Sequence, residues 1–267
     1  MIQISGLNFV KNSNSLLPIN AKTRIGEPFF ELHEVDSTNI YAIDKVQANL
    51  AAHGAAFFAH NQLAGKGQRG KGWNSEPSAN IILSVVINPS PLLITQQFVI
   101  SVMASLAVHD FFADFAGDET KIKWPNDLYW RDRKAGGILM NSHILGKNWQ
   151  YSVLGIGINI NQTNFVNFPN QPVSLKQITG KTYQPLELAK QLCSLLEKRF
   201  AEMRNGGIED QLNKYNQYLY KKGEEVNFKK ENIVFRATVQ SVNDYGELIL
   251  KNGLEDRFGF GEISWLI

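Results

Sequence analysis

The segment Gly65-Lys66-Gly67-Gln68-Arg69-Gly70-Lys71-Gly72 constrains the fold more than any other, because no helix pattern comes directly after it. Gly65, Gly67 and Gly70 satisfy the dinucleotide fingerprint G-x-G-x-x-G, and Gly65, Gly70 and Lys71 satisfy most of the P-loop pattern G-x-x-x-x-G-K-[ST]. Both patterns need a helix directly after the loop, since its N-terminus holds the phosphate. Here Trp73-Asn74-Ser75-Glu76-Pro77 intervenes, and Ile81 to Ile87, apolar and partly β-branched, reads as a strand. Gly72 stands where a P-loop needs its magnesium-binding hydroxyl. Asn88 and Pro89 stand about 20 residues on, where a dinucleotide fold keeps its ribose-binding acid. Both folds are set aside. The loop still has the physics of an anion site: glycines let the backbone approach a ligand closely, and Lys66, Arg69 and Lys71 add positive charge with little acid nearby. Taken alone, it fits a solvated basic loop equally well.

Elsewhere the chain alternates strand and helix patterns as far as Lys221-Lys222-Gly223, and beyond that only short strand patterns remain. Strands are predicted at Phe29 to Val35, Ala55 to His60, Lys121 to Trp124, Leu128 to Trp130, Ile138 to Asn141 and Tyr151 to Ile160. Helices are predicted after the N-cap candidates Asp36-Ser37-Thr38-Asn39, and at Leu93 to Phe115, Leu186 to Met203 and Ile208 to Tyr220. Past residue 223 the strand patterns are Val226 to Phe228, Val234 to Val242, Glu247 to Leu250 and Arg257 to Ile263. Turns such as Asn243-Asp244-Tyr245-Gly246 separate them. The expected organisation is an irregular leader over 1–29, an α+β domain over 30–222 and a small C-terminal β-barrel over 223–267.

Composition is that of an ordinary globular chain, with 43% hydrophobic and 19% charged residues among 267. A formal net charge of +2 is too small to imply a nucleic-acid or membrane partner. Cys193 is the one cysteine, so no disulfide forms within the chain and a reducing compartment is its natural home. Its neighbours Leu192, Leu195 and Leu196 point to a core position rather than a nucleophile. The start of the chain lacks the pattern of a signal peptide. The most apolar stretch, Phe98 to Phe112, falls short of the roughly 20 residues of a spanning helix. A soluble cytoplasmic protein is expected.

Two further motifs accompany the loop. In Lys123-Trp124-Pro125-Asn126-Asp127, the proline fixes a bend that presents an Asn–Asp pair, suited to ribose hydroxyls or a magnesium ion. A short turn leads to Lys134-Ala135-Gly136-Gly137, where a long side chain could lie against close-packed backbone. A β-hairpin with surface lysines fits this segment as well. In Gly155-Ile156-Gly157-Ile158-Asn159, glycines interrupt an apolar strand and weaken it unless something must come close.

Together these runs resemble the biotin–protein ligases, in order and in rough spacing: Asp36 to Asn39, Gln62 with the glycine loop and Trp73, Lys123 to Asp127, Lys134 to Gly137, and Gly155 to Asn159. The resemblance spans about residues 30–265. The family's usual loop reads Gly-Arg-Gly-Arg-x-Gly, whereas Lys66 and Gln68 occupy the two arginine positions here and Arg69 follows. Lysine keeps the charge but loses the bidentate fork.

The resemblance implies a mixed β-sheet flanked by helices and a C-terminal barrel of the Src-homology-3 kind. It implies that Ser37, Thr38, Asn39, Gln62, Lys66, Gly67, Gln68 and Gly137 hold biotin and that Lys134 serves both binding and catalysis. Lys66, Arg69, Gly70, Trp73, Lys123, Asn126, Asp127 and Asn159 would line the ATP and adenylate side. ATP would bring Mg2+, with no resident metal site, and the acceptor would be a biotin carboxyl-carrier domain. Neither DNA nor membrane binding is expected, and monomer and homodimer both stay open. The implied reaction passes through biotinyl-adenylate, with the loop folding over it. The alternatives are a lipoate–protein ligase with the same two-step logic and, from another class, a nucleic-acid binder using the basic loop.

Overall fold

The computed structural model describes residues 23–165 and 172–266, so most of the expected leader lies outside the described residues. From the N-terminal side the elements are β1 (Phe29–Val35), α1 (Thr38–Gln47), β2 (Ala56–Gln62), β3 (Ile81–Ile87), α2 (Gln97–Ala116), β4 (Thr120–Lys123), β5 (Asp127–Trp130), β6 (Arg133–Leu145) and β7 (Asn148–Ile158). Then come α3 (Leu175–Thr179), α4 (Pro185–Arg204) and α5 (Ile208–Gln217). The chain ends in β8 (Glu225–Lys230), β9 (Ile233–Val242), β10 (Leu248–Lys251), β11 (Arg257–Phe258) and β12 (Ser264–Leu266).

The first seven strands form one sheet in the order β1-β2-β3-β7-β6-β5-β4. β1 and β2 run parallel and the other neighbours antiparallel, which makes the sheet mixed as expected. Every residue of β3 is buried, because both faces of the sheet are covered. On one face, Leu83, Val85, Leu154 and Ile156 pack with Met103, Ala107 and Phe111 of α2 and Leu192 and Leu196 of α4. On the other, Phe57, Val86 and Val153 pack against Ala42 of α1. That helix is only ten residues long, so it covers only part of its face. The uncovered part of the face carries the site.

Cys193 is buried in the first core, and burial pushes its thiol up to about 12, which leaves it inert as a nucleophile. The apolar stretch around α2 is longer than expected: Ile94–Ala116 spans 23 residues, enough by length and composition to cross a bilayer. It is instead the central core helix, with Ile100, Met103, Leu106, Ala107, Phe111 and Phe112 buried among sheet and helices. A cationic clamp ties this helix to α4. Arg199 donates from Nε to Asp110 Oδ2 at 2.7 Å and from Nη1 to Glu202 at 2.9 Å. Burial pushes the Asp110 carboxyl up, but hydrogen bonds from His109 and Arg199 outweigh it and hold the group below its usual range.

The last five strands form a second, antiparallel sheet in the order β11-β10-β9-β8-β12, matching the expected Src-homology-3 kind of unit but without a β11–β12 pairing to close it. Its core is not separate. Phe228, Val239, Leu248 and Phe258 share one apolar cluster with Phe98, Val102 and Leu106 on the remaining face of α2. Trp124 adds a polar pin, its indole N–H donating to the Gly246 carbonyl at 2.9 Å. This docking brings the turn after β11 over the exposed face of the large sheet.

Three sequence expectations are corrected. β6 runs from Arg133 to Leu145, so Gly136 and Gly137 lie within the strand rather than ahead of it, and α3 had no predicted counterpart. The strand expected over Arg257 to Ile263 stops at Phe258, because Gly259 to Glu262 make a turn. Gly261 has φ +97 there, and the Glu262 carboxylate accepts from the Gly259 N–H at 2.8 Å.

Candidate active site

The register of three strands builds the floor. Ile82, Gly157 and Gly137 lie side by side across β3, β7 and β6, and Ser84, Gly155 and Leu139 form the next row. Four of the positions that could carry bulk are thus reduced to three glycines and a serine, and the glycines explain why the apolar pattern of β7 was interrupted. Each accommodates a particular neighbour. A Cβ on Gly155 would sit 2.5 Å from Asn39 Nδ2, and one on Gly157 would sit 2.5 Å from the Trp73 ring. A Cβ on Gly137 would meet Asp127 Oδ1 at 3.0 Å and Lys134 Nζ at 3.4 Å. The cavity above this floor holds about 280 Å³.

One end is built by the start of α1. Ser37 occupies the N-cap position yet its hydroxyl does not cap the helix, so the usual local use of such a residue is forgone. The hydroxyl is buried and has no partner, the same holds for the Asn39 carbonyl oxygen, and both residues belong to the cavity wall. Buried polar atoms cost free energy when unpaired, so two of them in one cavity wall mark a place for a polar ligand. Thr38 is held by the site rather than open to it: its N–H donates to Gln62 Oε1 at 2.9 Å and its hydroxyl accepts from Ser84 at 2.8 Å.

The opposite end is cationic. The glycine loop closes on itself, Gly67 N–H donating to the Lys71 carbonyl at 2.7 Å and Trp73 N–H to the Gly65 carbonyl at 2.9 Å. Lys66, Gly67, Gln68, Arg69, Lys71 and Trp73 all line the cavity. Across from them, Lys134 Nζ donates to Asp127 Oδ1 at 2.6 Å. Among the described residues, Asp127 supplies the one carboxylate lining the cavity, against four cations, Lys66, Arg69, Lys71 and Lys134. An anionic ligand is favoured.

Four expected site residues do not line the cavity: Gly70, Lys123, Asn126 and Asn159. Gly70 sits at φ +73 with open space around it and serves the loop's turn. Asn126 donates to the Ile138 carbonyl, and Asn159 donates to the Val173 carbonyl at 3.2 Å, so both amides fix backbone. Lys123 lies behind the site among the rings of Tyr129, Tyr220 and Trp265, donating to the Tyr129 hydroxyl at 3.1 Å. Burial above all, with Lys134 and Lys71 nearby and only Asp127 opposing, lowers its pKa to about 8. An unfolded chain therefore binds this proton more tightly, and stability should rise as pH goes from about 8 toward 10.5, the ordinary value. Lys123→Met should flatten that rise, as read from urea midpoints across the range; equal slopes in both proteins would refute the assignment.

Sequence reasoning missed the contribution of the C-terminal sheet, whose Phe260, Gly261, Ile263 and Trp265 line the cavity. The signal was faint, because Phe260 and Ile263 had the look of strand residues in a separate small barrel.

A mixed sheet with a glycine-rich cationic loop over it is the architecture of the ligases that attach biotin or lipoate. Residues 32–159 match the model of the Biotin/lipoate A/B protein ligase family. The bifunctional ligase/repressor BirA of Bacillus subtilis is 26% identical over 246 residues, covering 90% of this chain and 75% of that protein. The biotin–[acetyl-CoA-carboxylase] ligase of Paracoccus denitrificans is 28% identical over 227 residues, covering 82% and 92%. The biotin protein ligase of Aquifex aeolicus, solved in complex with biotin and ATP, superposes with a TM-score of 0.73 at 22% identity over 89% of this chain and 98% of that one, which speaks for the fold. Residues 32–159 carry the domain of the Biotin/lipoate A/B protein ligase family, and over most of its length the chain is similar to biotin ligases.

Proposed function

We propose that the protein joins biotin to a specific lysine of a carrier domain in two ATP-dependent steps. The observation that carries this reading is one cavity with two unlike ends: unpaired buried Ser37 and Asn39 beside α1, and the loop cations with Lys134 at the other. A neutral polar ring system suits the first end, and an anionic acyl-nucleotide suits the second. The Paracoccus denitrificans relative, named as a biotin ligase, favours biotin over lipoate. In step one a carboxylate oxygen of biotin attacks the α-phosphorus of ATP and the bond to the β-phosphate oxygen breaks, giving biotinyl-adenylate and pyrophosphate. In step two the neutral amine of the acceptor lysine attacks the acyl carbon, AMP leaves, and the amide nitrogen loses a proton.

No side-chain nucleophile is required, and catalysis rests on positioning and on cations placed where negative charge accumulates. Ser37, Thr38, Asn39 and Gln62 would orient biotin, while Lys134, Lys66 and Arg69 would face the reacting carboxylate and the α-phosphate. Trp73, packed against Gly157, offers a ring for the adenine. Gly70, Lys123, Asn126 and Asn159 act through backbone and packing. Mg2+ would arrive on the phosphates of ATP. Asp127, the carboxylate in the cavity wall, would hold that ion, and the metal would neutralise phosphate charge. The acceptor is assigned to the biotin carboxyl-carrier class and the protein to the cytoplasm. ATP–pyrophosphate exchange tests the reading: it should depend on biotin, and exchange driven by lipoate alone would replace biotin with lipoate as substrate.

A further inference from the structure

The C-terminal sheet does more than pack against the ligase domain. Phe260 projects from the β11–β12 turn and is 53% exposed, so its ring is not held there by core burial. It meets two partners instead. The Trp124 ring lies edge-on at 6.3 Å, and the Arg69 guanidinium carbon stands over the Phe260 ring at 5.1 Å from its centre. The neighbouring residue must be glycine for this to happen: a Cβ on Gly261 would come within 1.9 Å of Arg69 Nη2. Gly261 also needs its left-handed φ of +97, and the Gly259–Glu262 hydrogen bond at 2.8 Å fixes the turn. On the loop side, Arg69 is itself left-handed, at φ 54, which aims the loop's one guanidinium away from the strand path. Among the described residues, Arg69 has no carboxylate within ion-pair distance and donates no side-chain hydrogen bond. The ring and the glycine therefore hold it by its face, which leaves the N–H edge unspent.

We propose that Phe260 is a positioning residue for adenylation, acting from the C-terminal sheet through Arg69 to hold the glycine loop over the cavity. The inference rests on the adenylation reading, which it deepens by assigning the second sheet a part in substrate capture. A ring-held guanidinium is pre-organised for phosphate, since less rotamer freedom is lost on binding. The contact should matter for the affinity of ATP and for retention of the adenylate. It should matter little for the chemical step once substrate is held.

The test uses the full chain and two readouts. Phe260→Leu keeps apolar bulk but removes the ring, whereas Phe260→Tyr keeps it. Phe260→Leu should raise the KM for ATP about tenfold at nearly unchanged kcat, as expected from losing a cation–π contact in a partly desolvated site. Phe260→Tyr should stay close to the parent. Arg69→Ala should cost at least as much, since it also removes the guanidinium from the phosphate, and adding Phe260→Leu to it should change nothing further, because Phe260 acts through Arg69. Independently of catalysis, Phe260→Leu should speed tryptic cleavage between Lys66 and Lys71 at unchanged Tm. Additive losses in the double variant, or loop cleavage as slow as in the parent, would overturn the inference. A parent protein that lacks biotin-dependent exchange altogether, while cleavage still responds to Phe260→Leu, would instead count against the ligase reading.

Discussion

Lys134→Ala is expected to reduce biotin-dependent ATP–pyrophosphate exchange by about 100- to 1000-fold, the range seen when one well-placed donor to developing charge is removed. The position explains the size. Lys134 reaches the cavity from β6 over Gly137, where an added Cβ would come within 3.4 Å of its Cε and Nζ, and Asp127 holds Nζ at 2.6 Å. The ammonium is thus fixed in the cavity wall among the cations proposed to face the reacting carboxylate and α-phosphate. Stability should change little, because the Lys134–Asp127 pair is about a third exposed on each side and such pairs contribute at most about 1 kcal/mol. Transfer from chemically prepared biotinyl-adenylate should be impaired much less than adenylation, since the mixed anhydride is already activated. Tm and circular dichroism check the fold, and single-turnover kinetics separate the two steps. Exchange within tenfold of the parent would remove Lys134 from the chemistry. Lys134→Arg should not restore full activity, because the wider fork has to fit where Gly137 left space for an ammonium.

The large sheet was legible because its strands have strong local signatures. β1 and β3 were predicted at Phe29 to Val35 and Ile81 to Ile87, and they occupy those spans. The loop, the Lys123 to Asp127 corner and the β7 glycines were legible as motifs, since only a close approach of backbone to something else rationalises glycine in a buried strand. What could not be read was which side chains face the cavity. Lys123, Asn126 and Asn159 belong to the motifs, yet pleat and turn geometry direct them into packing and backbone support. Ser37 shows the converse. Its residue type offered only one of several helix caps, the family resemblance alone gave it to biotin, and the fold shows that its hydroxyl is unused by the helix. The part played by Phe260 and Gly261 was illegible for a different reason: it depends on how two sheets dock through α2, a contact between distant parts of the chain that no local pattern encodes.

The glycines of β7 allow the two ends of the cavity to be disturbed one at a time. Gly155→Ala should weaken biotin binding roughly 10- to 100-fold and leave ATP binding nearly unchanged. Its Cβ would sit 2.5 Å from Asn39 Nδ2, and Asn39 is 5% exposed, with its Nδ2 engaged to the Leu139 carbonyl at 3.4 Å, so it has little space in which to yield. Moving it displaces the carbonyl oxygen proposed for biotin, and a lost buried hydrogen bond with its desolvation cost is worth about 1–3 kcal/mol. Gly157→Ala should produce the mirror image. Its Cβ would press on the Trp73 ring at 2.5 Å, a rigid two-ring system that cannot retreat by a small rotation, so ATP affinity should fall by a similar factor with biotin affinity retained. Both strand positions accept alanine as backbone, having no positive φ, so folding should survive in each variant. Calorimetric titration of each protein with biotin and with a non-hydrolysable ATP analogue reads the result directly. Equal losses for both ligands in either variant would mean that the cavity is not divided as its floor suggests, and reversed losses would exchange the roles of its two ends.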